Sequence, residues 1–144
     1  MEANHRSRVA RVFGWSLLVR LLVDTVIFIW AVQSPERISK KGMAALSNNE
    51  VIREMSVISL TEIAIKQSTG KLTFDKDDVL LGIADLKLRI LPFTLSHASY
   101  LFSLPPHHKD PFDRQIIAQA LAENIPIVTC DDKFKLYKGL KVIW

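Results

Sequence analysis

The sequence predicts a single α/β domain, a sandwich of helices around a central, mostly parallel sheet of about five strands. Three observations predict it. Apolar runs of strand length recur along the chain, helical patterns lie between them, and the runs are continuous rather than alternating, as in strands buried on both faces. The 144 residues are 49% hydrophobic and 24% charged, the balance of an ordinary globular domain. A chain of this size buries ~70% of its unfolded surface in one core. No repeat or low-complexity segment interrupts it.

In chain order, LVRLLV (18–23) reads as the first strand and is followed by a helix over 25–32. A second helical segment covers 36–48, and MSVIS (55–59) reads as the second strand. Helices over 60–68 and 76–87 precede the third strand, RILPF (89–93). Helices over 95–103 and 113–123 lead to the fourth, IPIVTC (125–130), and KVIW (141–144) is the fifth. The helix at 113–123 is the clearest. Ile116, Ile117, Ala120 and Leu121 form one apolar stripe, and Asn124 and Pro126 end it.

The run from Val12 to Val32 is apolar apart from Gly14, Ser16, Arg20, Asp24 and Thr25. It is long enough for a bilayer at ~20 residues. Yet Arg and Asp near its centre each cost about 3 kcal/mol on insertion scales, and no small-residue cleavage site follows. Breaking the run at Asp24 gives a buried strand and a helix, so no membrane role is expected. The single cysteine, Cys130, excludes an intrachain disulfide and a cysteine-rich zinc site, and suits a reducing, cytoplasmic compartment.

The net charge of +4 is unevenly spread. Residues 1–23 hold Arg6, Arg8, Arg11 and Arg20 against Glu2, whereas the rest of the chain is nearly balanced. This divides the chain into a basic N-terminal extension, residues 1–20, and a domain over 21–144.

In a parallel α/β sheet, ligands bind outside the carboxyl ends of the strands. Four acids fall on that edge. Asp24 ends strand one, Glu62 lies in the first turn of the helix after strand two, Asp113 opens the helix leading to strand four, and Asp131 ends strand four. Each has a structural alternative. Ser59-Leu60-Thr61-Glu62 has the form of a capping box, Asp110-Pro111-Phe112-Asp113 that of a capped helix start, and Asp132 that of a cap for a short turn. Asp24 has no cap pattern behind it, and Thr25 reads as the cap of the following helix. Four acids with few cations nearby repel one another unless something positive neutralises them. Lys66 can pair with Glu62 at i,i+4. The remaining charge calls for a hard cation, Mg²⁺ or Mn²⁺, since the donors are carboxylates rather than thiolates. His107, His108 and Lys109, in PPHHKD, read as a solvated rim or a phosphate contact. His97 reads as structural. No nucleotide-binding glycine loop or hydrolase elbow occurs.

These residues resemble a family. VDTVIFIW, SLTEIAIKQSTGKL, HHKDPFDRQIIAQA and IVTCDDKFKLY are similar, in order, to the four blocks of PIN domains, specifically the VapC-like toxins of toxin–antitoxin systems. The resemblance covers residues 21–144, and the DPFDR block is its most specific part. It implies a PIN-like fold and a metal site made of Asp24, Glu62, Asp113 and Asp131. Thr25, Lys66, Asp110, Arg114 and Thr129 take supporting places. It departs from the family at Val26, where histidine often follows Asp-Thr, and in the twenty or so residues before strand one.

The implied activity is metal-dependent cleavage of an RNA phosphodiester by one or two Mg²⁺ (or Mn²⁺) ions, leaving a 5′-phosphate and a 3′-hydroxyl. Lys66, Lys109, Arg114, the tail arginines and the two loop histidines are then candidate RNA contacts. An antitoxin protein and a second copy of the chain are the implied partners. The main alternative is a degenerate PIN domain that binds RNA or protein without cutting. A DNA-directed nuclease of the same fold is another. An aspartate-nucleophile phosphatase is disfavoured, since no D-x-D follows strand one.

Overall fold

The computed structural model describes residues 19–144. Five strands form one sheet in the order β3-β2-β1-β4-β5, with every neighbouring pair parallel. They are β1 (Arg20–Val23), β2 (Ile52–Ser56), β3 (Arg89–Leu91), β4 (Ile127–Val128) and β5 (Val142–Ile143). Six α-helices cover them among the described residues: α1 (Thr25–Gln33), α2 (Lys40–Leu46), α3 (Val57–Ser68), α4 (Lys76–Asp85), α5 (Leu95–Tyr100) and α6 (Pro111–Glu123). This is the α/β/α sandwich that the pattern of apolar runs predicts.

The sheet separates two apolar cores, and β1 shows how. Leu21 and Val23 point into one core with Ile27, Phe28 and Phe74, whereas Leu22 points into the other with Ile116, Ile117 and Phe134. Side chains that alternate across a strand buried on both faces give this division directly. Gly82 lets α4 approach α1 closely: a Cβ there would stand 2.7 Å from Val32 Cγ2 and 2.9 Å from Phe28 Cζ.

Several boundaries differ from the sequence reading. The second strand lies at Ile52–Ser56, not 55–59, because it buries two charged residues that an apolar count passes over. Glu54 accepts from Arg20 Nε at 2.5 Å, and Arg53 donates to the carbonyls of Leu86 and Asn48. The Ser56 hydroxyl caps α3, so the helix starts at Val57, and Ser59 with Glu62 makes no capping box. The segment over 36–48 splits into a 3₁₀ turn (Pro35–Arg37) and α2, which Ser39 caps. The segment over 95–103 likewise ends in a 3₁₀ turn, Leu101–Ser103.

Most of the basic extension lies outside the described residues, including Arg6, Arg8 and Arg11. Arg20 belongs instead to β1, where it pairs with Glu54 and with Glu123 at the end of α6. His97 is buried and bonds Glu123 through Nε2 at 3.1 Å, the structural place expected of it. No helix among the described residues is long and apolar enough to cross a membrane.

Candidate metal centre

The strand order reverses at β1, with β2 and β3 on one side and β4 and β5 on the other. Sites form where the order switches, at the carboxyl ends of the strands. A cleft of about 520 Å³ opens there, and Asp24, Glu62, Asp110, Asp113 and Asp131 line it with Lys66 and Lys71. The structure therefore brings together the four acids that the edge argument selected.

Asp24 leaves β1 in an extended conformation and caps α1 itself, its Oδ1 accepting from the Thr25 amide at 2.8 Å. Thr25 is thus the first helical residue and not the cap. Its hydroxyl instead shares a 2.7 Å hydrogen bond with Ser59 Oγ, which ties α1 to α3. Asp24 Oδ2 accepts from Thr129 Oγ1 at 2.8 Å. Burial pushes the Asp24 carboxyl up to about 6, against these two hydrogen bonds and with help from the charges of Glu62 and Asp131.

Glu62 projects from α3 and is buried. Its Oε2 accepts from Lys66 Nζ at 2.6 Å, while Oε1 is buried with no hydrogen-bond partner. Such an atom is costly unless something electropositive meets it. Lys66 is held charged, above its usual value, chiefly by its bond to Glu62.

Asp110 caps α6, its Oδ1 accepting from the amides of Phe112 and Asp113. Pro111 takes the first helical position, so the helix begins two residues before the sequence pattern suggests. This places Asp113 on the first turn, facing the cleft. Burial first, then repulsion from Asp24, Asp110, Glu62 and Asp131, push its carboxyl up to about 8.

Asp131, after β4, caps a 3₁₀ turn (Asp132–Leu136) by accepting from the Lys133 amide at 2.9 Å. The cap is thus Asp131, and Asp132 is the exposed residue that follows it. Thr129 serves two acids at once, since its Oγ1 donates to Asp24 and accepts from the Asp131 amide at 3.1 Å.

The loop before α6 departs most from expectation. His108 is buried, with Nε2 only 2.8 Å from Asp131 Oδ2 and 3.0 Å from Asp113 Oδ2. Ligand atoms of His108, Asp113 and Asp131 all lie within 4.8 Å of one another. It is therefore no solvated rim residue. His107 and Lys109 are exposed, His107 against the Tyr137 ring. The Arg114 guanidinium donates to the carbonyls of Leu104, Pro105 and His108, so it fastens this loop. Lys71, which the sequence reading passed over, stands at the cleft. Its place in STGKL, just past the end of α3, was the available signal.

Carboxylate oxygens, an orphaned Glu62 atom and two acids raised first by burial and then by the neighbouring carboxylates fit a hard divalent cation. Softer metals lack thiolates here, Cys130 being a single thiol at the rim.

A family model for the PIN domain matches residues 21–140. The chain belongs to the PIN domain family. Solved PIN-fold structures similar to it are toxin–antitoxin complexes. One is VapBC2 from Rickettsia felis bound to a promoter DNA fragment, at 22% identity and TM-score 0.63, covering 85% of this chain and 96% of that one. Another is DNA-bound VapBC from Salmonella typhimurium, at 14% identity and TM-score 0.63, covering 86% and 96%. A third is VapBC-5 from Mycobacterium tuberculosis, at 20% identity and TM-score 0.55, covering 87% and 98%. At these identities the likeness establishes the fold. No curated protein matches the chain.

Proposed function

We propose that this PIN domain is a metal-dependent endoribonuclease, the toxin of a toxin–antitoxin pair. The observation that carries the reading is the acidic cleft with the unpartnered Glu62 Oε1 inside it. Five carboxylates face one another there with two lysines at hand. A domain that merely bound RNA would gain nothing from such a concentration of negative charge.

Asp24, Glu62, Asp113 and Asp131 would hold Mg²⁺ or Mn²⁺. A divalent ion bound among them lowers the pKa of a bound water and neutralises charge developing on the phosphate. The protein's part is positioning. Thr129 and the Thr25 amide fix both oxygens of Asp24, and Lys66 fixes one oxygen of Glu62 and leaves the other free. Lys71 stands where a phosphodiester entering the cleft would pass. His107 and Lys109 are exposed and free to meet the nucleic-acid backbone, whereas Arg114 is occupied by three carbonyls.

An antitoxin is the proposed partner. An apolar groove of about 340 Å³ between α3 and α4 shares Ile63 with the cleft and offers such a protein a hydrophobic seat next to the acids. A homodimer is proposed on the exposure of Leu95 and Phe102, 83% and 95% accessible.

The test is digestion of RNA and single-stranded DNA side by side in Mg²⁺, with the wild type and Asp113→Asn. RNA cleavage by the wild type alone is the expected result. A protein that binds RNA without cutting it would favour the degenerate, binding-only domain, and equal cutting of DNA would redirect the substrate.

A further inference from the structure

His108 stands against two acids of the cleft but has a second set of contacts that decides its role. The backbone N–H of Asp110 donates to His108 Nδ1 at 3.2 Å. A ring nitrogen that accepts a hydrogen bond carries no proton. In the neutral imidazole the proton must then sit on the other nitrogen. Nε2 is therefore an N–H donor: it hydrogen-bonds Asp131 Oδ2 at 2.8 Å and stands 3.0 Å from Asp113 Oδ2. A protonated Nε2 has no lone pair for a metal, and moving the proton to Nδ1 would set it against the Asp110 N–H.

Three further contacts hold the residue in that pose, two through its backbone and one on the ring. The His108 backbone N–H donates to Tyr137 Oη at 2.8 Å, the ring meets Phe134 edge-on at 5.7 Å, and Arg114 binds the His108 carbonyl. Asp110, the same residue that caps α6 and so sets Asp113, also sets the tautomer of His108.

From this geometry we infer that His108 is a positioning residue of the metal site: a tautomer-locked N–H clamp that holds Asp131 beside Asp113 without ligating the ion. Its Nε2 contacts are carboxylates, those of Asp131 and Asp113. The inference rests on the proposed metal site. Partners of this kind commonly tune metal affinity by 10- to 100-fold.

Two measurements test it. Long-range ¹H–¹⁵N spectra of the wild type, with and without Mg²⁺, report the tautomer directly. A neutral ring protonated on Nε2 in both states is expected. A ring protonated on Nδ1, or on both nitrogens, overturns the clamp. Mg²⁺ titration by calorimetry then compares the wild type with His108→Gln, whose amide can still donate near the Nε2 position, and with His108→Leu, which cannot. The Leu variant should bind about tenfold or more weakly, with Gln recovering most of the loss. Equal affinity in all three refutes the clamp and leaves the metal site standing. No Mg²⁺ binding by the wild type refutes the metal site itself, while the tautomer spectra still judge the locked ring.

Discussion

Replacing Asp24 with Asn should make the metal-free protein more stable while removing metal binding. Asp24 is buried, and its carboxyl is raised from 3.8 to about 6 by that burial. Each pKa unit is worth about 1.4 kcal/mol, so holding it ionised in the metal-free fold costs about 3 kcal/mol. The sign follows from proton linkage. A carboxyl whose folded pKa lies above its unfolded value binds protons more tightly in the native state. Native stability therefore falls as pH rises between the two values and stays low above about 6. Asn removes that penalty and keeps the local geometry. It caps helices as well as Asp does, and the Thr129 hydroxyl can turn to accept from its amide. In EDTA at pH 8 the variant should melt about 5–10 °C above the wild type, and at pH 5, between the unfolded and folded values, the gap should shrink to about half. Mg²⁺ should raise the melting temperature of the wild type and leave the variant unmoved. Scanning calorimetry at the two pH values decides it. A variant less stable than the wild type at pH 8 in EDTA would refute the claim that the site stores uncompensated charge.

Other expectations follow from the same contacts. Because Asp113 is raised to about 8 and a ligand must be deprotonated, Mg²⁺ affinity should climb from pH 6 to pH 8, as read by calorimetric titration; a flat profile would contradict it. Glu62→Gln keeps the shape of the buried side chain but gives up its charge, and should cut the cleavage rate at least 100-fold with little loss of fold by circular dichroism. Lys71→Ala should raise KM for RNA several-fold and reduce the slope of log affinity against log salt by about 0.7, with kcat little changed. Gly82→Ala should cost about 1–3 kcal/mol in urea denaturation, because its methyl group meets Val32 and Phe28.

The sheet and the acidic edge were legible because the residues that make them follow local rules. Leu21, Leu22 and Val23 form a continuous apolar run because both faces of β1 are covered, and the acid directly after that run both caps α1 and lines the cleft. The stripe on α6 and its stop at Asn124, which sits in the left-handed region at φ 53°, were equally local. What was hidden depends on contacts far apart in the chain. β2 was misplaced because Glu54 is neutralised by Arg20, thirty-four positions away. His108 looked like a surface residue because its loop, PPHHKD, is polar and Lys109 stands beside it. Its burial comes from Phe134 and Tyr137 of a later turn, and no spacing within PPHHKD announces them. Arg114 misled for a related reason, since three carbonyl acceptors become visible only once the loop is folded.

The central claim is that the acidic cleft holds the ion that drives RNA hydrolysis. Purified protein stripped with EDTA, incubated with an end-labelled RNA and then given back Mg²⁺ or Mn²⁺, tests it most directly. Cleavage should vanish in EDTA, return with either ion, and leave 5′-phosphate and 3′-hydroxyl ends. Cleavage that persists in EDTA, or that leaves 2′,3′-cyclic phosphate, would contradict it.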